Sequence, residues 1–431
     1  MDFRSTVDTF LRKYDQHPDA INMSELTETF VAEMKAGLAG EPSSLMMIPT
    51  YLAADGKIPL GETAIAIDAG GTNLRTALVT FTADGIQVSD FTKRPMPGTQ
   101  KTLTKDEFLA EMVSYLKPLV PKANKIGFCF SFPAEVQPDH DARVVMFCKE
   151  VNITGAENMM ICREIADALK AAGIDIPVSF VLLNDTVATL LGGPNPGAGE
   201  RMDGQIGLIL GTGTNTAYVE QCANIRKLGA GFETGSMIIN AESGIFAKAP
   251  QGEFDRRMDA ASVNPGDHLF EKMISGVYLG AVIRETVLQA AREGLFSAEN
   301  RVLSLPEFSM VEVDAFLRAP FGDNVIANAC ATDDDRELMY TFIDRALDRG
   351  SKLVTVNMAA LMEQMDAGRR MSAPCRIVVE GSTFHKCFSY RERIEHYMKA
   401  FVNEQLGRYY LFTSGDDVNL AGSAGAALLN A

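Results

Sequence analysis

The 431-residue chain is most easily bounded by what it lacks. Its five histidines show no HExxH or comparable ligand spacing, which argues against a structural zinc site. Its seven cysteines are odd in number and include no CxxC pair. A reduced cytoplasmic protein fits this usage better than a disulfide-framed secreted one. No apolar run approaches the ~18 residues of a membrane span. The first twenty residues alternate charged and apolar side chains, without the apolar core of a signal peptide. Positive charge is short: 40 Lys and Arg stand against 56 Asp and Glu, a net charge of −16. A broad negative field repels phosphate backbones and anionic lipid, so neither nucleic acid nor a membrane surface is expected as a partner.

What remains is ordinary globular composition, 46% hydrophobic and 22% charged. The length suggests two or three domains, enough to bury a core without disulfides or metal. Residues 1–60 read as helical, with Phe10, Leu11 and Tyr14, then Leu26, Phe30, Met34 and Leu38, at three- to four-residue spacing. Strands are expected at 63–68, 76–82 and 86–91, the last two joined by an Asp84-Gly85 hairpin turn. Thr104 and Glu107 form a capping box opening a helix to about 119. Strand 125–132, helix 157–172 and strand 178–184 complete an alternating α/β unit.

After a Gly/Pro/Asn-rich link at 192–199 the plan restarts, with strand 207–210, a glycine turn at 211–215 and strand 216–220. Gly71-Thr72-Asn73 and Gly213-Thr214-Asn215 are the same tripeptide, each between two strands. The repetition suggests two related α/β domains that each offer a glycine turn to one ligand. Long helices are expected at 267–293 and 335–365, then a buried strand 376–380 running into Gly381-Ser382-Thr383, and a small-residue helix 421–430.

Three segments carry candidate chemistry. Asp68 ends a strand, where a carboxylate can hold hydrated Mg²⁺. Gly70 and Gly71 let backbone N–H groups approach phosphate oxygens, and Thr72, Asn73 and Arg75 add donors. Gly211, Thr212 and Gly213 form a second cradle at the matching position. Neither a Walker A sequence nor a GxGxxG after a strand is present. Asn184-Asp185 places an acid at the end of an apolar strand; it reads as a ligand-facing carboxylate, as the N-cap of the following helix, or as both. Cradled phosphates, a metal and a proton-accepting carboxylate are the parts of phosphoryl transfer to an alcohol. Vicinal hydroxyls would be met by acids and amides around Asn240-Ala-Glu242 and Glu271, although Glu271 also reads as a solvated helix-terminal residue.

Taken in order, these segments resemble the hexokinase family of eukaryotic-type hexokinases and glucokinases, over about residues 62–431. The likeness is carried by Ile67-Asp-Ala-Gly-Gly-Thr-Asn-Leu-Arg75, Gly127-Phe-Cys-Phe-Ser-Phe-Pro133, Leu183-Asn-Asp-Thr186, Gly211-Thr-Gly-Thr-Asn215, Ile239-Asn-Ala-Glu-Ser-Gly-Ile-Phe246, Phe270-Glu-Lys-Met-Ile-Ser-Gly-Val-Tyr-Leu-Gly280 and Gly422-Ser-Ala-Gly-Ala-Ala427.

The resemblance implies an α/β, two-domain actin-like (ribonuclease H-like) ATPase fold with its site in the cleft. The small domain would be 61–186 plus 419–431, the large one 1–60 plus 187–418. It implies an ATP-dependent hexokinase using MgATP, acting on a hexose as a monomer or homodimer. Asp185 would be the base and Lys149 a second catalytic group. Ser131, Phe132, Pro133, Cys148, Lys149, Asn184, Asp185, Asn215, Glu242 and Glu271 would face the sugar. Asp68, Gly70, Gly71, Thr72, Asn73, Arg75, Gly211, Thr212, Gly213, Gly381, Ser382, Thr383 and Ser423 would meet the nucleotide, and Asp68 and Asp185 would reach Mg²⁺ through water. The chain departs from the family where Trp-Thr-Lys reads Phe147-Cys148-Lys149 and where Asp-Gly-Thr reads Glu380-Gly381-Ser382-Thr383. The rivals are an actin-like or chaperone-like ATPase and a kinase for another polyol or acid on the same fold.

Overall fold

In the computed structural model, which describes residues 2–53, 58–147, 150–193 and 200–431, the repeated strand–turn–strand pattern becomes two mixed sheets of one topology. The first is built from β1 (Thr63–Ala69), β2 (Asn73–Thr82), β3 (Gly85–Pro95), β4 (Lys125–Phe130) and β5 (Ser179–Leu183), in the order β5-β4-β1-β2-β3. The second is built from β6 (Gly204–Leu210), β7 (Thr214–Gln221), β8 (Ser236–Asn240), β9 (Cys375–Glu380) and β10 (Tyr410–Thr413), in the order β10-β9-β6-β7-β8, with Ile48–Pro49 added beyond β8. In each sheet the first strand pairs antiparallel with the second and parallel with the fourth. The shared Gly-Thr-Asn tripeptides lie at equivalent hairpins, so the duplication inferred from sequence is a duplication of topology.

The local signals act as their chemistry dictates. The capping box of Thr104 and Glu107 starts a helix at Lys105, and Gly85, at φ 125°, turns the hairpin between β2 and β3. The helices that matter for the site are α1 (Phe3–Lys13), α2 (Met23–Ala39), α3 (Lys105–Leu116), α4 (Ile161–Ala171), α5 (Asp185–Leu191), α6 (Leu269–Ile274), α7 (Asp333–Gln364), α8 (Ser382–Lys386) and α9 (Val418–Asn430). The 267–293 segment is not one helix. It divides into α6 and Leu279–Arg292 around Ser275–Tyr278, because Gly276 and Val277 turn their N–H groups to the Gly211 and Thr212 carbonyls.

One face of β1, with Ile65 and Ile67, packs with β4 and α3 in the first core, alongside Phe108, Met112 and Phe128. The other face carries Ala64 and Ala66, which meet Leu420, Ala424 and Ala427 of α9. Small side chains on both partners let the helix lie on the sheet, and a Cβ on Gly127 would come within 1.8 Å of the Ser423 carbonyl oxygen. The second sheet receives α5 in the same manner, since a Cβ on Gly207 would come within 2.5 Å of the Thr186 oxygen. Helix α5 thus leaves the first sheet to pack on the second, and α9 leaves the second to pack on the first. The helices α1, α2 and α7 add the largest continuous core to the second sheet, with Phe30, Met34, Phe342 and Leu353 fully inside it.

The two exchanged helices touch backbone to backbone. A Cβ on Gly422 would stand 1.9 Å from the Ala188 oxygen, and one on Gly192 the same distance from the Val418 oxygen. Gly422→Ala is therefore expected to destabilise the protein by about 1–3 kcal/mol or more, seen as a lower thermal midpoint. An unchanged midpoint would show that this contact does not constrain the two halves.

Candidate active site

The carboxyl-terminal edges of β1, β4 and β5 carry the first group of expected residues, as ligand-binding residues are carried in open α/β sheets. At the end of β5, Asn184 caps α5 by accepting from the Thr186 and Val187 N–H groups at 2.8 and 3.1 Å. The cap is thus Asn184, and Asp185 is the first helical residue. Asn184 Nδ2 donates to Asp185 Oδ1 at 3.0 Å, and the Thr186 hydroxyl to the same oxygen at 3.3 Å. Asn184 is largely committed to the helix and to orienting Asp185. Beside it, Ser131 is pinned through its N–H to the Ala69 carbonyl. Phe132 packs against Phe147 with the rings tilted at 58° and 5.2 Å apart, and Pro133 accepts from the Val145 N–H. Cys148 and Lys149, which continue this segment, lie outside the described residues.

The second group stands on the matching edge of the other sheet. Glu242 adopts the left-handed conformation, φ 53°, which is uncommon for a residue with a Cβ. It turns one carboxylate oxygen, Oε1, to the amide nitrogens of Asn240 and Asn215 at 2.7 and 3.1 Å. Asn215 also donates to Asn240 Oδ1 and accepts from the N–H groups of Thr216 and Ser243. Glu271 accepts the Thr214 N–H at 2.9 Å through Oε2. A Cβ at 213 would sit 2.5 Å from that same oxygen and push Glu271 off this bond.

The glycine turn between β6 and β7 is braced from outside. The Gly211 carbonyl accepts from the Gly276 N–H at 2.8 Å and from the Thr383 hydroxyl at 2.8 Å. Gly381, at φ 124°, lies against Leu210, where a Cβ would be 2.3 Å from a carbonyl oxygen. Sequence reasoning missed Gly276. Its signal was a Ser-Gly pair inside a helical run, which marks an interruption with a structural cause.

The two groups of acids sense one another's charge. Burial pushes Glu242 above the usual carboxylate range, the Asn240 amide opposes this, and the Asp185 carboxylate across the cleft pushes it further up. Burial also raises Glu271, against the pull of the Thr214 N–H. Cys129, beside Asp68 in the β1–β4 ladder, is fully buried, and its thiol is driven well up by burial and by the Asp68 and Asp185 carboxylates. Asp68 and Asp185 therefore share one electrostatic neighbourhood around a neutral thiol.

Several expected nucleotide residues are already engaged. Asp68, only 5% exposed, receives the Arg75 guanidinium across the β1–β2 pair, with Nε at 2.8 Å. Arg75 reaches on to Asp417 at 3.2 Å, so its fork binds carboxylates. Gly70 donates to the Asn73 carbonyl, Asn73 Nδ2 donates to the Thr72 hydroxyl, and Thr72 itself is exposed. Gly71 is half-buried, whereas Ser382 is exposed. Thr383 is buried, and its hydroxyl serves the Gly211 turn. Ser423 does not join the cluster: it is fully buried against Gly127, with its hydroxyl on the Asn419 carbonyl at 2.6 Å. The close approach of α9 to the sheet requires a small residue there.

Among the described residues no helix is long and apolar enough to cross a membrane. Two family models described as hexokinase match the chain, one over residues 7–194 and the other over 205–429. Hexokinase-1 of Nicotiana tabacum is 32% identical across 98% of this chain and 90% of its own length. Hexokinase-2 of Solanum tuberosum is 30% identical across 96% and 88%. Among solved structures, a hexokinase from Schistosoma mansoni complexed with glucose superposes with a TM-score of 0.72 at 21% identity, covering 99% of this chain and 98% of that one. A second hexokinase structure reaches 0.78 at 22%, covering 98% of this chain and all of the other. These likenesses give the two-domain, actin-like kinase fold, and with the sequence matches they show that the chain is a phosphotransferase of the hexokinase family, for which ATP is the implied phosphoryl donor.

Proposed function

We propose that the chain transfers the γ-phosphoryl group of MgATP to the 6-hydroxyl of a hexose, glucose foremost, with Asp185 as the general base. The observation that carries this reading is the pair of acids on the second sheet's edge, Glu242 held by the Asn240 and Asn215 amides and Glu271 by the Thr214 N–H, with the Asp185 carboxylate near enough to push Glu242 up. A neutral, hydroxyl-rich ligand suits that chemistry. Glu242 commits Oε1 to two amides and Glu271 commits Oε2 to Thr214. Each carboxylate keeps an oxygen for sugar hydroxyls, and hydrogen bonds to a charged acceptor are worth about 1.5–3 kcal/mol. Ser131, Phe132, Pro133, Asn184 and Asn215 complete the sugar-facing set, and Lys149 and Cys148 belong to it by their place in the sequence motif.

Asp185 accepts the proton of the attacking hydroxyl, held in orientation by Asn184 and Thr186. The turns at Gly70–Asn73 and Gly211–Gly213, with the Gly381–Thr383 segment, receive the nucleotide. Residues 61–186 with 419–431 act as one domain and 1–60 with 187–418 as the other, closing on the sugar to keep water from the phosphoryl group. Among the described residues no three His, Cys, Asp or Glu side chains are grouped to hold a metal ion. Mg²⁺ arriving on the nucleotide keeps several waters and needs only one or two carboxylates; Asp68 and Asp185, which share the surroundings of Cys129, would accept from those waters. When bound, the ion neutralises charge on the β- and γ-phosphate oxygens.

An ADP-release assay across hexoses, pentoses and glycerol tests the whole reading, and the absence of sugar-stimulated turnover would sink it. In the same assay Asp185→Asn should lower kcat by ~10²–10⁴-fold, the range of a positioned base. Sugar binding, followed by calorimetry, should persist; near-normal turnover would remove Asp185 from the role of base.

Glu242 yields a prediction with opposite signs for stability and binding. Its folded pKa lies above the reference value of 4.5, so the folded state holds this proton more tightly than the unfolded chain. The associated stability is present below that reference and is lost as pH rises through the raised value. Glu242→Gln keeps an acceptor for Asn215 and Asn240 without the buried charge. It should raise the thermal midpoint at pH 7, with the gain shrinking below pH 4.5, while raising hexose KM about tenfold or more. A lowered midpoint with unchanged KM would make Glu242 a structural acid.

A further inference from the structure

Helix α6 has only six residues, and helices shorter than ~12–15 residues are marginal without tertiary support. Phe270, Met273 and Ile274 bury its apolar face in the core, and its orientation is further set by polar tethers. Two have been described, Glu271 on the Thr214 N–H near its start and the N–H groups of Gly276 and Val277 on the Gly211 turn just past its end. The third is Lys272. Its side chain is 2% exposed, and its ammonium donates to Asp259 Oδ1 at 2.6 Å, Ser262 Oγ at 2.9 Å and the Asn264 carbonyl at 2.7 Å. An ammonium has three donors, so each is satisfied. Asp259 in turn accepts the Gly266 N–H through both oxygens, at 3.1 and 2.9 Å. The clamp draws the whole 262–266 segment onto α6. That segment runs directly into His268, which opens the helix in the left-handed conformation, φ 51°.

We propose that Lys272 is a positioning residue for the hexose: its saturated ammonium, bound by Asp259, Ser262 and Asn264, holds α6 so that the neighbouring Glu271 presents its carboxylate to the sugar. This rests on the reading of Glu271 as a sugar contact. A buried ammonium is a costly way to hold a helix, since well-packed apolar residues often replace buried ion pairs without loss of stability. What the ammonium adds is direction: three acceptors at fixed distances define the placement of one backbone segment, and Glu271 is the adjoining residue on it.

The test compares Lys272→Met, Asp259→Asn and Glu271→Gln by steady-state kinetics and thermal melting of the full chain. Lys272→Met should raise hexose KM about tenfold, with kcat falling by a smaller factor and nucleotide KM rising less than hexose KM. Asp259→Asn retains an acceptor for the ammonium but not the charge, and should raise hexose KM by roughly two- to fivefold. A merely structural brace would lower the melting midpoint and the active fraction while leaving KM of the remaining molecules unchanged, and that result overturns the proposal. Should Lys272→Met fail to fold, Asp259→Asn decides alone, and an unchanged KM there is equally fatal. An unchanged hexose KM in Glu271→Gln would defeat the sugar assignment of Glu271 itself. A raised KM in Glu271→Gln beside unchanged values in both clamp variants would defeat only the role given to Lys272.

Discussion

The backbone contact between α5 and α9 is the constraint on which the geometry of the site depends. Each helix follows the last strand of one sheet and packs on the other. At their crossing, Gly192 and Gly422 leave no room for even a methyl group. Asp185 is the first residue of α5. Its backbone is joined covalently to the first sheet, while the body of its helix rests on the second. A change in the angle between the halves would bear on this residue and on the glycine crossing. Protein interiors are close-packed and do not deform continuously, so relative motion of the halves is confined to such points.

The second constraint is the cost of burying negative charge in a chain that already carries a net −16. Two different solutions appear. Asp68, on the side of the glycine turns expected to meet phosphate, is matched by the Arg75 guanidinium. Glu242 and Glu271 are instead supported by side-chain amides and a backbone N–H. A cation would have occupied their lone pairs and offset their charge. Amides offset part of the desolvation cost while leaving a negative acceptor, and the raised pKa of both residues is the residue of cost not offset. Such acids are suited to an uncharged donor of many hydroxyl groups.

Much of this was legible in the sequence, for identifiable reasons. Strand alternation, the Asp84-Gly85 hairpin and the Thr104–Glu107 capping box are local, and local signals survive folding. The repeated Gly-Thr-Asn tripeptide marked a duplicated topology because the hairpin it serves recurs in both sheets. What failed to show depends on partners distant in sequence. Asn184 and Asp185 are both good caps, and only the orientation of α5 assigns the cap to Asn184. Ser423 lies in a small-residue segment expected to meet the nucleotide, while its own surroundings are set by the close approach of α9 to Gly127. Arg75 read as a phosphate donor because its cross-strand partner, Asp68, is fixed only by the register of β1 and β2. The 274–279 break hid inside a helical periodicity, since the carbonyls that require it belong to Gly211 and Thr212.

That break carries the last link between the two halves of the chemistry. Helix α6 grips the Gly211–Thr214 turn at both of its ends: Glu271 holds the Thr214 N–H, and the N–H groups of Gly276 and Val277 hold the carbonyls of Gly211 and Thr212. Thr383, in the first turn of α8, adds a second bond on Gly211. A turn expected to receive phosphate and an acid expected to receive a sugar hydroxyl are therefore parts of one hydrogen-bonded unit. A misplacement of about 1 Å between reacting groups can cost an enzyme about a hundredfold in rate. A single short helix bonded to both sites keeps their separation from depending on two independently mobile loops.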